Sequence, residues 1–173
     1  MYCRILEETI AEHTGQLPEA AAGKESVKIN LELDAYIPET YIDSEVVKYD
    51  IYKKIAALAD ENDLADMAAA LEDRFGPVPA SVRNLLKLSV VGRMAEACGV
   101  VELRQQRDRV LLFFDEAKPV PMPAGDVVQL LFARFGVKFK ADKHRDKVWS
   151  IALDGRIQAK MLDHLMEFFK KIQ

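Results

Sequence analysis

A helix stop at residues 73–79 constrains the fold of this chain more than any other part of its sequence. The segment reads DRFGPVP. Gly76 can adopt the left-handed conformation that closes a helix, and Pro77 cannot continue one. Pro79 has its φ angle preset for the first turn of a following helix. The sequence therefore predicts two helices that meet at this segment.

Helical periodicity extends this prediction to three helices within residues 43–98, joined by short connections. Asp43 or Ser44 can cap the first helix and Asn62 can cap the second, while Gly99 provides the stop of the third. Apolar residues recur along each helix at steps of three and four, which is typical of a buried stripe. In the second helix, this stripe consists of Leu64, Met67, Leu71 and Phe75.

The rest of the chain alternates between strand and helix patterns. Residues 1–13 predict a helix, residues 14–26 a loop, and residues 27–37 a half-buried strand that Pro38 ends. After the three helices, the predicted order is two strands, a helix, two strands and a final helix. The first pair of strands spans residues 100–103 and 109–114 and is followed by a helix at 125–135. The second pair spans residues 137–141 and 147–153 and is followed by a helix at 156–172. We therefore predict an α+β fold: an N-terminal helix and strand, a three-helix unit, and a ββαββα half whose small, mainly antiparallel sheet is covered by helices.

The start of the chain bears on its domain organisation. Its first helix has apolar residues from Tyr2 onward but no capping residue before them. An uncapped start favours a domain cut from a longer protein, and the alternative is a natural start with a frayed first turn. We expect residues 1–173 to form one domain with three subregions, which are residues 1–42, 43–99 and 100–173.

Composition and charge restrict the class of protein. Half of the residues are hydrophobic and 30% are charged, as in an ordinary globular chain. No apolar run approaches the ~20 residues of a membrane span. The only cysteines, Cys3 and Cys98, are widely spaced and form no CxxC pair, and this usage favours a protein of the reducing cytosol. Residues 1–99 carry 10 Lys and Arg against 18 Asp and Glu, whereas residues 100–173 carry 14 against 10. An acidic part is thus joined to a mildly basic part.

The sequence contains no motif for catalysis or metal binding. It has no GxxxxGK[ST] loop and no GxGxxG after a strand, which argues against nucleotide hydrolysis by these residues. His13, His144 and His164 lie far apart and have no partner at metal-ligand spacing. For His164, a place at a helix boundary is the better explanation. We therefore predict no catalytic residue, no metal site and no cofactor in this chain.

The second helix carries an acidic side. Asp63, Asp66 and Asp73 lie at steps of three and seven, roughly opposite the apolar stripe, and Glu72 flanks them. A solvated helix face explains Asp63 and Asp66, which the helix dipole favours near the N-terminus. Asp73 lies near the C-terminus, where a negative charge is unfavourable. Its position indicates a partner, either Arg74 or a basic surface on another domain.

Basic residues surround the second predicted hairpin, from Lys138 to Lys147. They could contact phosphates. Lysines on a sheet edge also prevent aggregation, and exposure is the usual state of a lysine. We therefore favour a solvated surface here over a nucleic-acid site.

The segment LEDRFGPVP at residues 71–79, the longest and most specific of several, resembles the C-terminal (TRCF) domain of bacterial transcription-repair coupling factors. The supporting segments are YCRILEE at 2–8, AYIP at 35–38, YKKI at 52–55 and NLL at 84–86. The resemblance covers essentially the whole chain, although residues 100–173 match mainly in the layout of their elements.

This resemblance implies a non-catalytic, regulatory domain excised from a bacterial, cytoplasmic DNA translocase that is driven by ATP. Such a parent removes stalled RNA polymerase from damaged DNA and recruits nucleotide-excision repair, and its motor modules hold ATP and Mg²⁺. In the family, the terminal domain docks on the N-terminal domain that binds UvrA. Docking hides the UvrA-binding surface at rest and restrains the motor.

Carried over to this chain, the interdomain docking face comprises Asp63, Asp66, Glu72, Asp73 and Arg74. Asp73 and Arg74 match the family pattern. Ala70 stands where many relatives have an acidic residue, which would remove one ion pair of the interface. The alternative function is a sensor of a small ligand or nucleic acid built on the ββαββα half, which predicts DNA or RNA binding by residues 100–173 alone.

Overall fold

The computed structural model describes residues 27–106, 109–114, 148–152 and 160–172. The elements predicted at residues 1–13, 14–26, 125–135 and 137–141, and the basic hairpin from Lys138 to Lys147, lie outside these ranges. The chain divides into two compact units, one formed by Leu33–Arg93 and the other by the residues on both sides of that segment.

Four helices and four strands make up the described part of the chain. In chain order they are β1 (Lys28–Asn30), α1 (Glu45–Ala56), α2 (Glu61–Phe75), α3 (Ala80–Ala97), β2 (Val100–Gln106), β3 (Arg109–Phe114), β4 (Val148–Ala152) and α4 (Met161–Ile172). Helices and strands are largely segregated along the chain, which confirms the predicted α+β class.

The three-helix unit predicted within residues 43–98 is confirmed as α1, α2 and α3. Ser44 occupies the N-cap position of α1, although its side chain makes no capping hydrogen bond. The carbonyl oxygen of Pro79 accepts the first helical hydrogen bond of α3, from the N–H of Arg83 at 3.0 Å. Gly99 follows α3 with a φ of 79°, as expected of a glycine that ends a helix.

Gly76 ends α2 in a conformation that differs from the prediction. Its φ is 86° and its ψ is −167°, a region that only glycine enters readily and that lies outside the left-handed helical region. The N–H of Gly76 still closes the helix by donating to the carbonyl oxygen of Glu72 at 2.9 Å. The predicted stop at this residue is therefore confirmed, and its predicted left-handed geometry is wrong.

The predicted cap of α2 at Asn62 is also wrong. Asp60 occupies the N-cap position in extended backbone, and its Oδ1 accepts from the N–H of Asn62 at 2.8 Å and of Asp63 at 3.0 Å. Asn62 lies inside the first turn of the helix. Aspartate and asparagine are both good N-cap residues, so residue type alone does not decide between two candidates that lie two positions apart.

The cap assignment predicts unequal costs for two neighbouring substitutions. Asp60→Ala removes the acceptor of two N–H groups and should lower the free energy of unfolding by about 1 kcal/mol. Asn62→Ala changes an exposed side chain and should alter it by less than about 0.5 kcal/mol. Urea-induced unfolding followed by circular dichroism measures both, and an equal or larger loss for Asn62→Ala would contradict the assignment.

The residues outside Leu33–Arg93 form a four-stranded sheet with the order β1-β2-β3-β4. β2 pairs antiparallel with β3, and β3 pairs antiparallel with β4, which confirms the first predicted hairpin. β1 lies parallel to β2, with Asn30 opposite Arg104. The sheet is therefore mixed, and β1 is at one edge of the strands that the structure describes.

β1 is shorter than the strand predicted over residues 27–37. The predicted alternation is present, because Ile29 and Leu31 are buried while Lys28 is exposed. The parallel ladder ends early because the N–H of Glu32 donates to the side-chain Oε1 of Gln105 at 2.9 Å. A side chain thus takes the place of the backbone acceptor that a longer strand would use.

Apolar side chains of β2, β3 and α4 supply the core of this unit. Leu103, Val110 and Leu112 are completely buried, as are Phe168 and Phe169. α4 confirms the last predicted helix, although it begins at Met161 rather than at residue 156. His164 lies in its first turn, where Nδ1 donates to the carbonyl oxygen of Lys160 at 2.8 Å, as expected of a histidine at a helix boundary.

Candidate functional site

The five residues predicted to form a docking face all lie on α2, and all five are exposed. Within the described ranges, Asp66 and Asp73 make neither a hydrogen bond nor an ion pair. Asp73 forms no ion pair with the adjacent Arg74, so the first of the two partners considered for this charge is ruled out. Two carboxylates on this side of the helix are therefore available to a cation from elsewhere.

Asp63 differs from Asp66 and Asp73 because its carboxylate is engaged in the helix start. Its Oδ2 accepts from the N–H of Ala59 at 2.9 Å, while its own N–H donates to Asp60. The arrangement resembles a capping box, except that the Asp63 carboxylate accepts from the residue before the N-cap and not from the N-cap itself. A structural role accounts for Asp63, so the candidate face depends mainly on Asp66 and on the C-terminal turn of α2.

α2 is anchored at only one point of its apolar stripe. Leu71 is 2% exposed, whereas Leu64, Met67 and Phe75 are half-buried. Most of the helix surface, including Ala70, is accessible to solvent. The helix therefore lies at the rim of its unit, which suits a docking role.

Arg74 and Phe75 stack at the C-terminal end of α2. The Cζ atom of Arg74 lies 5.0 Å from the centroid of the Phe75 ring, within the range of a cation–π contact. Arg74 has no ion-pair partner within the described residues. Arg74 and Asp73 are adjacent in the helix, so their side chains point about 100° apart, and a surface complementary to both would carry charges of both signs.

Tyr41 contacts this helix end, although the sequence analysis did not single it out. Its Oη lies 3.2 Å from the carbonyl oxygen of Leu71 and 3.1 Å from that of Gly76, and the two oxygens share its one proton. Its ring centroid lies 5.9 Å from that of Phe75, at an angle of 58°. No sequence pattern links these residues, because 30 or more positions separate Tyr41 from Leu71 and Gly76.

The surroundings of the Tyr41 hydroxyl favour its protonated form, which is the form that can donate. Burial raises the pKa of Tyr41 above its ordinary value, and the negative charge of Glu72 raises this pKa further. Glu72 belongs to the same helix end as Asp73. One predicted docking residue therefore also favours the protonated state of the tyrosine that holds the turn.

Within the described part of the chain, no group of three or more His, Cys, Asp or Glu residues could hold a metal ion. No helix in those ranges is long and apolar enough to cross a membrane.

Comparison with known proteins agrees with the architecture. A solved structure titled "Crystal structure of C-terminal domain of transcription-repair coupling factor" superposes with a TM-score of 0.76 at 22% identity, over 85% of this chain and 91% of the other. At that identity, the likeness shows a shared fold.

Sequence relatives carry the same name. The transcription-repair-coupling factor of Bacillus subtilis is 34% identical over 119 residues, which are 67% of this chain and 10% of the relative. That of Staphylococcus haemolyticus is 33% identical over 110 residues, which are 64% of this chain and 9% of the relative. The chain thus spans about a tenth of the length of these relatives. The family model of the TRCF domain matches residues 31–124, more than half of the chain, and the chain therefore belongs to the TRCF domain family.

Proposed function

We propose that this chain is a non-catalytic regulatory domain of a transcription-repair coupling factor. In the resting protein it docks on the N-terminal domain of the same protein that binds UvrA, and it covers the UvrA-binding surface. The observation that carries the proposal is Asp73, an exposed carboxylate at the C-terminal end of a helix with no partner among the described residues.

The position of Asp73 is unfavourable in the chain by itself. A negative charge in the last turn of a helix opposes the helix dipole, whereas a cation there would be stabilising. Neither a salt bridge nor a hydrogen bond within the described ranges offsets this cost. A basic surface on the docked domain would supply the missing positive charge and would also contact Asp66.

Tethering allows such a contact to act without high intrinsic affinity. Two domains of one chain meet at the effective concentration that their linker sets, so modest contacts keep the docked state populated. Exposed charge pairs fix register and specificity more than they add affinity. UvrA binds only the undocked state in this scheme, and its binding therefore shifts the population toward release.

The remaining activities belong to other parts of the proposed parent. ATP and Mg²⁺ would be held by its motor modules, which would also act on DNA and stalled RNA polymerase. The protein would work in the bacterial cytoplasm. This domain would contribute the switch between resting and repair-competent states.

Deletion of this domain from the full-length protein tests the proposal. The truncated protein should bind UvrA about ten-fold more tightly than the intact protein, because the docked state no longer competes. Isothermal titration calorimetry measures both affinities. Because docking depends on the tether, the 173-residue chain added as a separate molecule should weaken UvrA binding again only near the effective concentration of the tethered domain, on the order of millimolar. Equal affinities with and without the domain would contradict autoinhibition.

A further inference from the structure

We propose that Tyr41 is a positioning residue of the docking face, one that holds the last turn of α2 so that Asp73 and Arg74 are presented in a single geometry. The proposal deepens the docking function above and rests on it. Tyr41 itself need not contact the docked domain. It acts through the helix end that it holds.

The hydroxyl group of Tyr41 connects the two sides of the helix stop. The closing hydrogen bond of α2 runs from the N–H of Gly76 to the carbonyl oxygen of Glu72, so the carbonyl groups without a partner in the helix begin at Asp73. Tyr41 Oη donates to the carbonyl oxygen of Leu71, one residue before this closing bond, and to that of Gly76 just beyond the helix. Asp73 and Arg74 lie between these two anchor points. Their backbone is therefore held from both directions by one side chain.

The ring of Tyr41 extends this support to the side chain of Arg74. Tyr41 packs against Phe75 in a tilted arrangement with centroids 5.9 Å apart, a favourable geometry for an aromatic pair. Phe75 in turn carries the Arg74 guanidinium at 5.0 Å. The series Tyr41–Phe75–Arg74 thus orders a long cationic side chain that has no ion pair in the described part of the chain.

Gly76 explains why the turn needs support from elsewhere. Glycine loses more conformational freedom on folding than any other residue, and a Cβ built on Gly76 would meet no atom within 4 Å. No atom therefore packs against the Cβ position of this residue. Its N–H is held by the carbonyl oxygen of Glu72, and the hydrogen bond from Tyr41 to its carbonyl oxygen adds a restraint from a distant part of the chain.

Tyr41 is itself fixed by the turn that carries it. The N–H groups of Tyr41 and Ile42 donate to the carbonyl oxygen of Pro38 at 3.0 and 3.1 Å. The side chain of Ile42 is 3% exposed and anchors the turn. A donor whose backbone is held in a hydrogen-bonded turn reduces the conformational freedom that docking would otherwise have to remove.

Substitution of Tyr41 by Phe, compared with a matched control, tests the proposal in the full-length protein. Tyr41→Phe keeps the ring and removes the hydroxyl group. Tyr52→Phe is the control, because Tyr52 Oη accepts from the N–H of Ile37 at 3.1 Å in the same unit. Both variants lose a tyrosine hydrogen bond to the backbone, so their thermal stabilities should fall by similar amounts. Only Tyr41→Phe should open the resting state.

The expected readout is UvrA affinity together with local hydrogen exchange. Tyr41→Phe should raise UvrA affinity about three- to ten-fold, the range that corresponds to the loss of one hydrogen bond, and Tyr52→Phe should leave it unchanged. The N–H of Gly76 should exchange faster in Tyr41→Phe only. In an Asp73→Asn background, Tyr41→Phe should have a smaller effect, because the two residues act on one contact.

Separate outcomes identify which proposal fails. If Asp73→Asn raises UvrA affinity but Tyr41→Phe behaves as Tyr52→Phe does, docking stands and the positioning role is overturned. If the effects of Tyr41→Phe and Asp73→Asn on the free energy of UvrA binding add up fully, the positioning role is overturned as well. If neither Asp73→Asn nor Tyr41→Phe changes UvrA affinity, the docking function fails and the positioning role fails with it.

Discussion

Charge reversal at residue 73 should raise the affinity of the full-length protein for UvrA by about 10- to 100-fold, within the range typical of coupling between two sites. In the proposed resting state, Asp73 faces a basic surface. Asp73→Lys removes that attraction and replaces it with repulsion between like charges, which is the more costly arrangement at an interface. Titration of wild type and variant with UvrA measures the difference.

The same substitution should not damage the fold. A lysine in the last turn of α2 interacts favourably with the helix dipole, so the free energy of unfolding of the 173-residue chain should rise by about 0.3–1 kcal/mol. A rise in UvrA affinity therefore cannot be ascribed to unfolding.

Asp50→Lys makes an equal change of charge on α1, where Asp50 has only an exposed pair with Lys54 at 3.7 Å. This control should leave UvrA affinity unchanged, and an Asp73→Lys protein that binds UvrA as weakly as wild type would contradict the proposal.

Replacement of Leu71 by Ala should have the largest effect on stability, a loss of about 2–5 kcal/mol in the free energy of unfolding. Leu71 is the one residue of α2 that is fully buried, at 2% exposure. Its removal leaves a cavity beneath a helix whose other apolar residues are only half-buried. The carbonyl oxygen that accepts from Tyr41 belongs to the backbone and remains in Leu71→Ala, so the measured loss reports the buried side chain.

Met67→Ala provides the comparison for Leu71→Ala on the same apolar stripe. Met67 is half-buried, and Met67→Ala should lower the free energy of unfolding by less than half as much as Leu71→Ala does. Urea-induced unfolding of the two variants gives both values. Similar losses would show that α2 is held along its whole length and that Leu71 is not its main anchor.

The sequence was most informative where structure depends on neighbours within one or two helical turns. Helical periodicity predicted α1, α2 and α3, and glycine at positions 76 and 99 marked the ends of two of them. The cap of α2 shows the limit of such reasoning, because Asp60 and Asn62 are both good caps. Backbone conformation decides between them, and it is extended only at Asp60.

The candidate docking face was partly predictable for the same reason. The position of a residue on a helix follows from its number along the chain, so the exposure of Asp66 and Asp73 agrees with the periodicity. What each carboxylate contacts does not follow from position. Asp63 is engaged in the helix start, and Asp73 has no partner in the described ranges, although both lie on the acidic side.

The sequence by itself determined the local elements of this protein, and only the tertiary structure decided which distant elements meet. The parallel pairing of β1 with β2 joins residues more than 70 positions apart, and the Tyr41 contacts with Leu71 and Gly76 span 30 and 35 positions. Local structure follows from the conformational preferences of residues close together in the chain, and these can be inferred from hydrophobic periodicity and from turn residues. A distant pairing depends instead on the entropy of closing the intervening chain and on burial shared by the whole unit, and no short segment encodes either quantity.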